Sequence, residues 1–393
     1  MKIAILTSGI LPVPAVQGGA VENLIDFYLE YNQQHRLHDI TVYSVWHADV
    51  SRHPAMQANC NHYHYIDTSS LWAKVSRKVY GLMHQHEYYN FYIEYFFEQV
   101  WQDIKHIDYD CILLENRPGY AVKLAQRGVS NMVLHLHNDL LNNSTPRHEE
   151  VFSNLSGIFT VSDYIKGQVA CIQPSDKIQT IYNGINLDNF VCKTSPVITR
   201  QSLGFDADDF LMVFSGRINK DKGIAELIES MLMLKDHPYI KLMVLGSSFF
   251  GDADNEDDFI HSLKEKAQSI QDKIVFTGFI PYKDMPDYLQ VADIAVLPSI
   301  WEEPFGLTCI ETMAVGLPLI TTRSGGIPEI CEGVATIVDR DNIVGNLAQA
   351  ILDLYQHPAK QEQMSKASMQ RAKQFDKETY AKNFFEALET FCK

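Results

Sequence analysis

Two glutamates eight positions apart, Glu303 and Glu311, enclose the part of the chain whose residue types best support chemistry. An apolar run at 294–297 leads into a polar turn, and a helix is predicted to begin at Phe305 or Gly306. The first amides of a helix lack partners within it and carry partial positive charge, so backbone alone can hold a phosphate there. Carboxylates accept hydrogen bonds from hydroxyl groups. The pattern predicts a site for a ligand with phosphates and hydroxyls, such as a nucleotide sugar. An ordinary surface helix start is the alternative, but it leaves the strand, proline and glycine context unexplained.

Two cations, Arg217 and Lys222, lie five positions apart in the loop that follows another apolar run, at 210–214. An arginine can bind a diphosphate through two parallel hydrogen bonds, and a lysine can bind it as a point charge. A solvated basic turn is the alternative, and the spacing alone does not exclude it.

The first half contains two further candidate segments after predicted strands. Gly18 and Gly19 precede a helix predicted from residue 20 to about 34, and glycines allow backbone amides to approach a phosphate, although a simple turn explains the pair equally well. His135 and His137 fall on the same side of a strand, where core or surface polarity is the competing explanation.

A glutamate and an arginine, Glu115 and Arg117, follow another strand of the first half. We expect them to bind acceptor hydroxyls, or else to pair with each other.

These candidate residues can form a site only if the fold brings the ends of their strands together. Apolar runs of strand length alternate with longer helical patterns, at 2–7, 40–45, 111–114, 132–136, 157–161, 210–214, 241–245, 274–276, 294–297 and 318–321. Continuous apolar strands separated by helices indicate parallel sheets covered on both faces. Since 393 residues exceed one ordinary core, we predict an α/β chain of two doubly wound, Rossmann-like domains. Ligands of such domains bind beyond the carboxyl ends of the strands, so we expect the domains to face a central cleft.

The segment from Glu303 to Glu311, with the alanine, glycines and proline that follow it up to Gly326, resembles the signature of retaining glycosyltransferases of family 4, which have the GT-B fold. The resemblance implies that Glu303 lies by the donor sugar and that Glu311 holds the ribose. It further implies that backbone amides hold the diphosphate, at Phe305, Gly306, Leu307 and Thr308. Arg217 and Lys222 match the pair that stabilises the departing nucleoside diphosphate.

The same resemblance assigns further residues. The backbone at Phe279 and Ile280 would recognise the nucleobase, and Gly18 and Gly19 would contact the donor phosphate. His137 would lie near the reacting sugar carbon, although Asn138 interrupts the usual His-Asp adjacency.

Domain limits also follow from the resemblance. We predict an acceptor-binding domain at 1–190, joined by a crossover helix at about 377–393, and a nucleotide-sugar-binding domain at 191–376.

Composition limits the partners. A formal net charge of −16 argues against nucleic acid. Seven cysteines without a CxxC pair suggest neither a disulfide framework nor a zinc site, and we expect a reducing, cytoplasmic setting. We predict no cofactor and no metal: the acidic run at 251–258 contains a DxD but is interpreted as a solvated loop.

The acceptor is expected to be a glycan or lipid-linked glycan and the donor a UDP-sugar, with surface polysaccharide assembly as the setting. A basic, aromatic stretch at 71–83 suggests contact with the inner face of a membrane, or else ordinary packing on the sheet. A GT-B nucleotide-sugar 2-epimerase and a non-catalytic partner subunit are the alternative functions.

Overall fold

The computed structural model describes residues 1–57, 59–83, 91–191, 198–247 and 258–392. The acidic run with the DxD lies almost wholly outside these residues. The chain divides into two compact units, Met1–Gly184 with Lys377–Lys393, and Ile185–Asp376. The second unit begins six residues before the predicted boundary, because the Ile185 N–H donates to the carbonyl of Phe375 and Phe190 packs on Tyr282.

The first unit is built on a parallel sheet, with seven strands among the described residues in the order β3-β2-β1-β4-β5-β6-β7. Its strands are β1 Lys2–Leu6, β2 Asp39–Val45, β3 Asn61–Ile66, β4 Cys111–Glu115, β5 Met132–Leu136, β6 Gly157–Thr160 and β7 Ile178–Thr180. Its first six helices are α1 Ala20–His35, α2 Leu71–Met83, α3 Phe91–Ile104, α4 Tyr120–Gln126, α5 His148–Asn154 and α6 Asp163–Ala170.

The second unit is built on another parallel sheet, with six described strands in the order β10-β9-β8-β11-β12-β13. Its strands are β8 Phe210–Ser215, β9 Ile240–Leu245, β10 Ile274–Gly278, β11 Ile294–Leu297, β12 Leu319–Thr322 and β13 Thr336–Val338. Its helices are α7 Ile224–Met233, α8 Asp258–Lys266, α9 Met285–Leu289, α10 Leu307–Ala314, α11 Ile327–Cys331, α12 Ile343–Gln356 and α13 Pro358–Ala372.

Central strands of both sheets are apolar along their whole length. All five residues of β4 and all six of β8 are buried, because helices cover both faces of each sheet. Burying such runs is the main favourable term in folding, at roughly 25 cal/mol for each Å² of apolar surface. In each unit the order of strands reverses beside the first strand, and the loops at the carboxyl ends there carry the candidate site residues.

The last helix, α14 Lys377–Phe391, returns to the first unit and packs on α1. The ring of Tyr28 stacks on that of Phe384, with centroids 4.2 Å apart. A disulfide joins Cys111 of β4 to Cys392. The cysteine spacing suggested no disulfide framework, and it does not reveal this single pair, because the fold brings together two residues 281 positions apart.

None of the helices in the described ranges combines the length and apolarity needed to cross a bilayer.

Candidate functional site

The loop between β11 and α10 fixes Glu303 in the second unit. Glu303 is buried, and its Oε1 accepts a hydrogen bond of 2.8 Å from the Ser299 hydroxyl and forms an ion pair with Lys222. The carboxylate therefore has a defined position, with one oxygen shared between a hydroxyl and an ammonium group.

A glycine turn after β12 is hydrogen-bonded to the loop between β11 and α10. The N–H of Gly326 donates to the carbonyl of Glu303 at 2.8 Å. Gly325 has a φ of +51°, and a Cβ there would lie 2.1 Å from the carbonyl oxygen of Glu303. The two glycines of the signature thus allow the turn to approach the backbone of Glu303 closely.

The loop after β8 is hydrogen-bonded to the loop between β11 and α10. The N–H groups of Ile300 and Trp301 both donate to the carbonyl of Asp221, at 2.9 and 3.2 Å. Gly223 has a φ of +70°, and a Cβ there would lie 1.9 Å from the carbonyl oxygen of Pro298. This contact places Lys222 beside Glu303, so side chains from two motifs far apart in sequence line the same pocket.

The two predicted cations have different environments. Lys222 is paired with Glu303, whereas Arg217 is exposed and makes no side-chain hydrogen bond within the described ranges. Arg217 is therefore free to reach a ligand.

Helix α10 begins later than its first predicted residue. Gly306 precedes the helix with a φ of +112°, and Leu307 and Thr308 form its first turn. The side chain of Phe305 is buried against Phe375, so this residue offers a ligand its backbone. A pocket at this helix start is lined by Phe214, Ser215, Lys222, Leu297, Ser299, Glu303, Gly306, Thr308, Cys309 and Ile327.

Glu311 lies in the second turn of α10 and is buried. Burial raises its pKa from 4.5 to about 7, and a hydrogen bond from the Tyr282 hydroxyl partly opposes this shift. Burial and the nearby Glu311 also raise the pKa of Tyr282. Glu311 is thus a carboxyl group with a pKa near neutral pH, and the hydroxyl of Tyr282 is the hydrogen-bond donor that lowers this pKa.

Phe279 and Ile280 follow β10, after Gly278 with its φ of +77°. Phe279 is partly exposed and Ile280 is buried. These residues precede Tyr282, so they lie in the same loop as the partner of Glu311.

In the first unit, Gly18 and Gly19 precede α1 with φ values of +76° and +105°. The N-terminus of α1 already has a carboxylate next to it, because a Cβ on Gly19 would lie 2.2 Å from Oε2 of Glu22. Burial raises the pKa of Glu22. A phosphate approaching these glycines would therefore meet Glu22, a residue that the sequence did not single out.

A second cluster forms where β4 and β5 end. Glu115 is fully buried and accepts from the Tyr28 hydroxyl at 2.9 Å, from His135 Nδ1 at 3.3 Å and from His137 Nε2 at 2.8 Å. Burial raises the pKa of Glu115, but the two histidines more than offset this and hold it well below its usual range. Three groups of the protein thus donate to the carboxylate of Glu115, and its role in acceptor binding stays a prediction.

The arginine of that prediction lies elsewhere. Arg117 donates from Nε to the carbonyl of Ser8 at 3.1 Å, rather than pairing with Glu115. Arg117 follows β4, as predicted, and its contact with the acceptor stays a prediction.

Glu115, His135 and His137 are also the described residues best placed to hold a metal ion. One potential ligand atom from each lies within 4.8 Å of the others. Two histidines and a carboxylate suit zinc or iron in chemical type.

The chain has two parallel, Rossmann-like sheets, each with candidate site residues in the loops at the carboxyl ends of its strands, as expected for the GT-B fold. Comparison with known proteins gives the family. Residues 198–371 match the group 1 glycosyl transferases. The Bacillus subtilis protein YtcC, named as a glycosyltransferase, is 30% identical over 367 residues, covering 89% of this chain and 82% of its own. The chain belongs to the group 1 glycosyltransferase family.

Two other relatives extend over nearly the whole chain. Spore coat protein SA of Bacillus subtilis is 28% identical and covers 95% of this chain and 94% of its own. The crystal structure of Anabaena HepE in complex with UDP aligns with a TM-score of 0.76 at 21% identity, covering 99% and 100% of the two chains. This likeness supports the GT-B fold.

Sequence reasoning missed three partners of the site residues. Ser299 and Tyr282 lie close to recognised motifs, and their hydroxyls were the available signal. Tyr28 sits in the middle of α1, 87 residues from Glu115, and nothing in its local sequence distinguishes it from a core residue.

Proposed function

We propose that this glycosyltransferase moves a sugar from a nucleotide-sugar donor, favouring a UDP-sugar, to an acceptor hydroxyl with retention of anomeric configuration. The acceptor is a glycan or lipid-linked glycan, and the setting is surface polysaccharide synthesis. One observation carries the proposal: a cation, a buried carboxylate and a helix start line a single pocket in the second unit, at Lys222, Glu303 and Gly306.

The chemistry of this pocket suits a departing diphosphate. Negative charge builds on the leaving group as the sugar gains oxocarbenium character. Lys222 has three N–H donors, so it can keep Glu303 and still reach a phosphate oxygen. The amides at Gly306, Leu307 and Thr308 add a fixed positive potential, and exposed Arg217 adds a second cation. These groups would supply the electrophilic help that a metal supplies elsewhere.

Glu311 suits the ribose. A buried carboxylate that is costly to ionise gains from hydroxyl donors, which stabilise its charged form. The backbone at Phe279 and Ile280 is proposed to contact the nucleobase. The solved HepE complex contains UDP, which supports uracil as the first nucleobase to test.

Retention is proposed to follow a front-face route in which the leaving phosphate takes the acceptor proton. This route needs no protein nucleophile. Glu303 would then orient donor hydroxyls, because its Oε1 is already held by Ser299 and Lys222.

Helix α2 supports a peripheral membrane contact. Leu71 and Trp72 are each 82% exposed, and Val75 is 55% exposed. Lys74 and Lys78 are exposed on the same helix. Apolar side chains with neighbouring cations suit an anionic bilayer surface, where lipid-linked acceptors reside.

Thermal-shift measurements with UDP, GDP, dTDP and ADP test the donor assignment first. We expect the melting temperature to rise most with UDP, because ligand binding to the folded state stabilises it. Incubation of the matching nucleotide sugar with acceptor should then release nucleoside diphosphate, and NMR of the product should show the donor's anomeric configuration.

The same assay separates the alternatives. A 2-epimerase would change the sugar without an acceptor, and a non-catalytic subunit would release nothing. Nucleotide binding that survives in Glu311→Gln and Lys222→Met together would contradict the proposed site.

A further inference from the structure

A groove in the first unit has no part in the proposed transfer reaction. It has a volume of about 450 Å³, within the roughly 300–1,000 Å³ typical of small-molecule sites. Strands β2 and β3 line it with Asp39, Thr41, Tyr43, His62 and His64. The end of α3 and the segment before β4 supply most of the remaining lining. None of the candidate site residues predicted from the sequence lies in this groove.

The groove exists because one face of the sheet is left uncovered at its β3 edge. Thr41 pairs with His62, and Tyr43 pairs with His64, in the register of β2 and β3. Alternate residues of a strand point to the same face, so these four side chains share one face. Helices cover both faces of the central strands, but here both histidines are exposed. The edge of the sheet therefore presents polar side chains to solvent beside the end of α3.

Two histidine–carboxylate pairs orient the side chains of the groove. Nε2 of His62 lies 3.1 Å from Oδ1 of Asp39, and Nε2 of His64 lies 3.0 Å from Oδ2 of Asp103. When each Nε2 donates to its carboxylate, each Nδ1 carries a lone pair that can accept. In the described ranges, neither Nδ1 nor the second oxygen of either carboxylate has a protein partner. The groove thus offers four fixed acceptors to a ligand with hydroxyl donors.

A pair of tyrosines adds a donor. The hydroxyl oxygens of Tyr43 and Tyr109 lie 3.0 Å apart, and either can donate to the other. The pair has two protons and uses one of them, so the second proton needs another acceptor. Within the part of the chain that the structure describes, no such acceptor contacts either hydroxyl. A ligand that both donates and accepts hydrogen bonds, as a sugar hydroxyl does, would satisfy the tyrosines and the histidines together.

The composition of the lining argues against other kinds of ligand. Among the described lining residues Lys2 is the single lysine or arginine, against the carboxylates of Asp39 and Asp103, so an anion gains little. Ile107 is the single aliphatic residue among them, so a purely apolar ligand finds little matching surface. A metal ion needs at least three ligand atoms together, and no three from the groove's described residues lie within 4.8 Å of one another. An uncharged ligand rich in hydroxyl groups fits what remains.

We propose that this groove is a second, non-catalytic binding site, which holds an uncharged oligosaccharide away from the point of sugar transfer. Lys2 and Asp39 are the first residues of β1 and β2, whereas the candidate site residues follow the last residues of strands. Strands of five to seven residues separate the two ends, roughly 15–25 Å at about 3.3 Å per residue. Assigning this oligosaccharide to the acceptor rests on the proposed function, but its binding does not.

A second contact changes the binding of long acceptors only. Once one part of a sugar chain is held, the rest stays at a high effective concentration near the point of transfer. A short acceptor spans too little distance to reach the groove as well. The groove is therefore expected to lower KM for long acceptors.

Calorimetric titration with maltohexaose, cellohexaose and chitohexaose tests the site without any transfer. We expect at least one of these uncharged probes to bind the wild type, and the anionic hexagalacturonate to bind more weakly. The double variant His62→Ala/His64→Ala should weaken the binding of that probe roughly tenfold, because two oriented acceptors are lost. Both side chains are exposed, so the variant is expected to fold, and Asp39→Ala on β2 should weaken binding of the same probe.

His261→Ala is the matched control, because His261 is an exposed histidine paired with a carboxylate, Glu265, on α8 of the second unit. It should bind the probe like the wild type. Absence of binding by all three uncharged probes, or equal binding in the double variant and the wild type, would overturn the proposal. Stoichiometric Zn²⁺ binding in equilibrium dialysis, lost in the double variant, would make the groove a metal site and overturn it as well.

Transfer assays then decide whether the groove holds the acceptor. With acceptors that share a terminal sugar, the double variant should raise KM several-fold for a hexasaccharide and leave KM unchanged for the monosaccharide. The change should appear in KM rather than in kcat, since neither histidine lies at the proposed site of transfer. Equal changes for both acceptors would overturn the role in acceptor binding. Absence of any transfer by the wild type would instead overturn the proposed function, and the calorimetric titration still decides whether the groove binds sugar.

Discussion

The two candidate sites of this chain are built in different ways. In the second unit the site consists of loop backbone, glycine turns and one ion pair, and Arg217 is exposed in the loop after β8. In the first unit it consists of side chains from α1, β4 and the β5 end, joined through the fully buried Glu115. The first kind suits the proposed diphosphate-bearing donor, whereas the second is a buried network of hydrogen bonds between side chains.

This difference has a physical origin. A diphosphate is held well by fixed backbone dipoles and by cations that keep contact with solvent. A buried carboxylate is costly unless its hydrogen bonds are satisfied, so it needs several donors fixed around it.

Removal of the exposed cation should have the largest effect. Arg217→Ala should lower turnover about 10²-fold or more, because one preorganised donor to the developing charge is lost. Steady-state kinetics with donor and acceptor checks this. Lys220→Ala, an exposed cation in the same loop, should retain near-native turnover. Equal losses in the two variants would show that general positive potential matters, and not the position of Arg217.

Backbone crowding should come next. Gly223→Ala places a Cβ 1.9 Å from the carbonyl oxygen of Pro298 and adds a positive-φ penalty. We expect the free energy of unfolding to fall by about 3 kcal/mol, of which roughly 1–2 kcal/mol is the φ penalty itself. Chemical denaturation measures it. Gly204→Ala, also at positive φ but with open space around its Cβ, should lose the φ penalty alone. Indistinguishable losses would contradict close approach of the two loops.

The proton on Glu311 gives a pH-dependent effect. Its folded pKa of about 7 lies above 4.5, so the folded protein binds more protons than the unfolded chain between these values. Its contribution to stability is complete below about pH 4.5 and is lost as pH rises through 7. Comparison with Glu311→Gln in thermal melts from pH 4.5 to 8 isolates this group, because Asp26, whose pKa burial also raises to about 7, is unchanged.

Ligand binding should reverse the effect of burial. If ribose hydroxyls donate to Glu311, UDP binding at pH 6.5 should release more protons from the wild type than from Glu311→Gln, in which the terminal phosphate of UDP still titrates. Glu311→Gln should also bind UDP about tenfold more weakly. Calorimetry in two buffers of different ionisation enthalpy detects the release. Proton uptake on binding would contradict the ribose contact.

The smallest effect concerns α2 of the first unit. Trp72→Glu should lower partition onto phosphatidylglycerol vesicles several-fold, because it removes exposed apolar area and adds a repelled charge. Cosedimentation measures partition. Met369→Glu, an exposed apolar residue on α13, serves as the control. Unchanged partition in Trp72→Glu would remove the membrane contact from the proposal.

Sequence reasoning found every central strand of the two sheets but, of the four edge strands, only β10. The runs at β1, β4, β8 and β11 are apolar because both faces are covered. The three strands without a prediction, β3, β7 and β13, are all edge strands. Edge strands bury less, and β3 alternates polar and aromatic residues, as in His62 and Tyr63. Their assignment depends on pairing with a neighbour, which a local pattern does not contain.

The sites divide in the same way. Glycines, prolines and glutamates at fixed spacing mark a backbone-built site in one continuous segment, as around Gly306. The environment of Glu115 depends on residues 20 and 22 positions ahead and 87 positions behind it. Since local sequence does not encode that convergence, it did not reveal that Tyr28, His135 and His137 donate to Glu115.

The return of α14 couples the end of the chain to its beginning. During synthesis, the sheet of the first unit emerges from the ribosome long before Tyr380 and Phe384, which complete the packing around Tyr28. The first unit is thus unfinished until the whole second unit has been translated. Because Tyr28 also donates to Glu115, the synthesis of α14 sets the moment at which the buried cluster acquires its final arrangement.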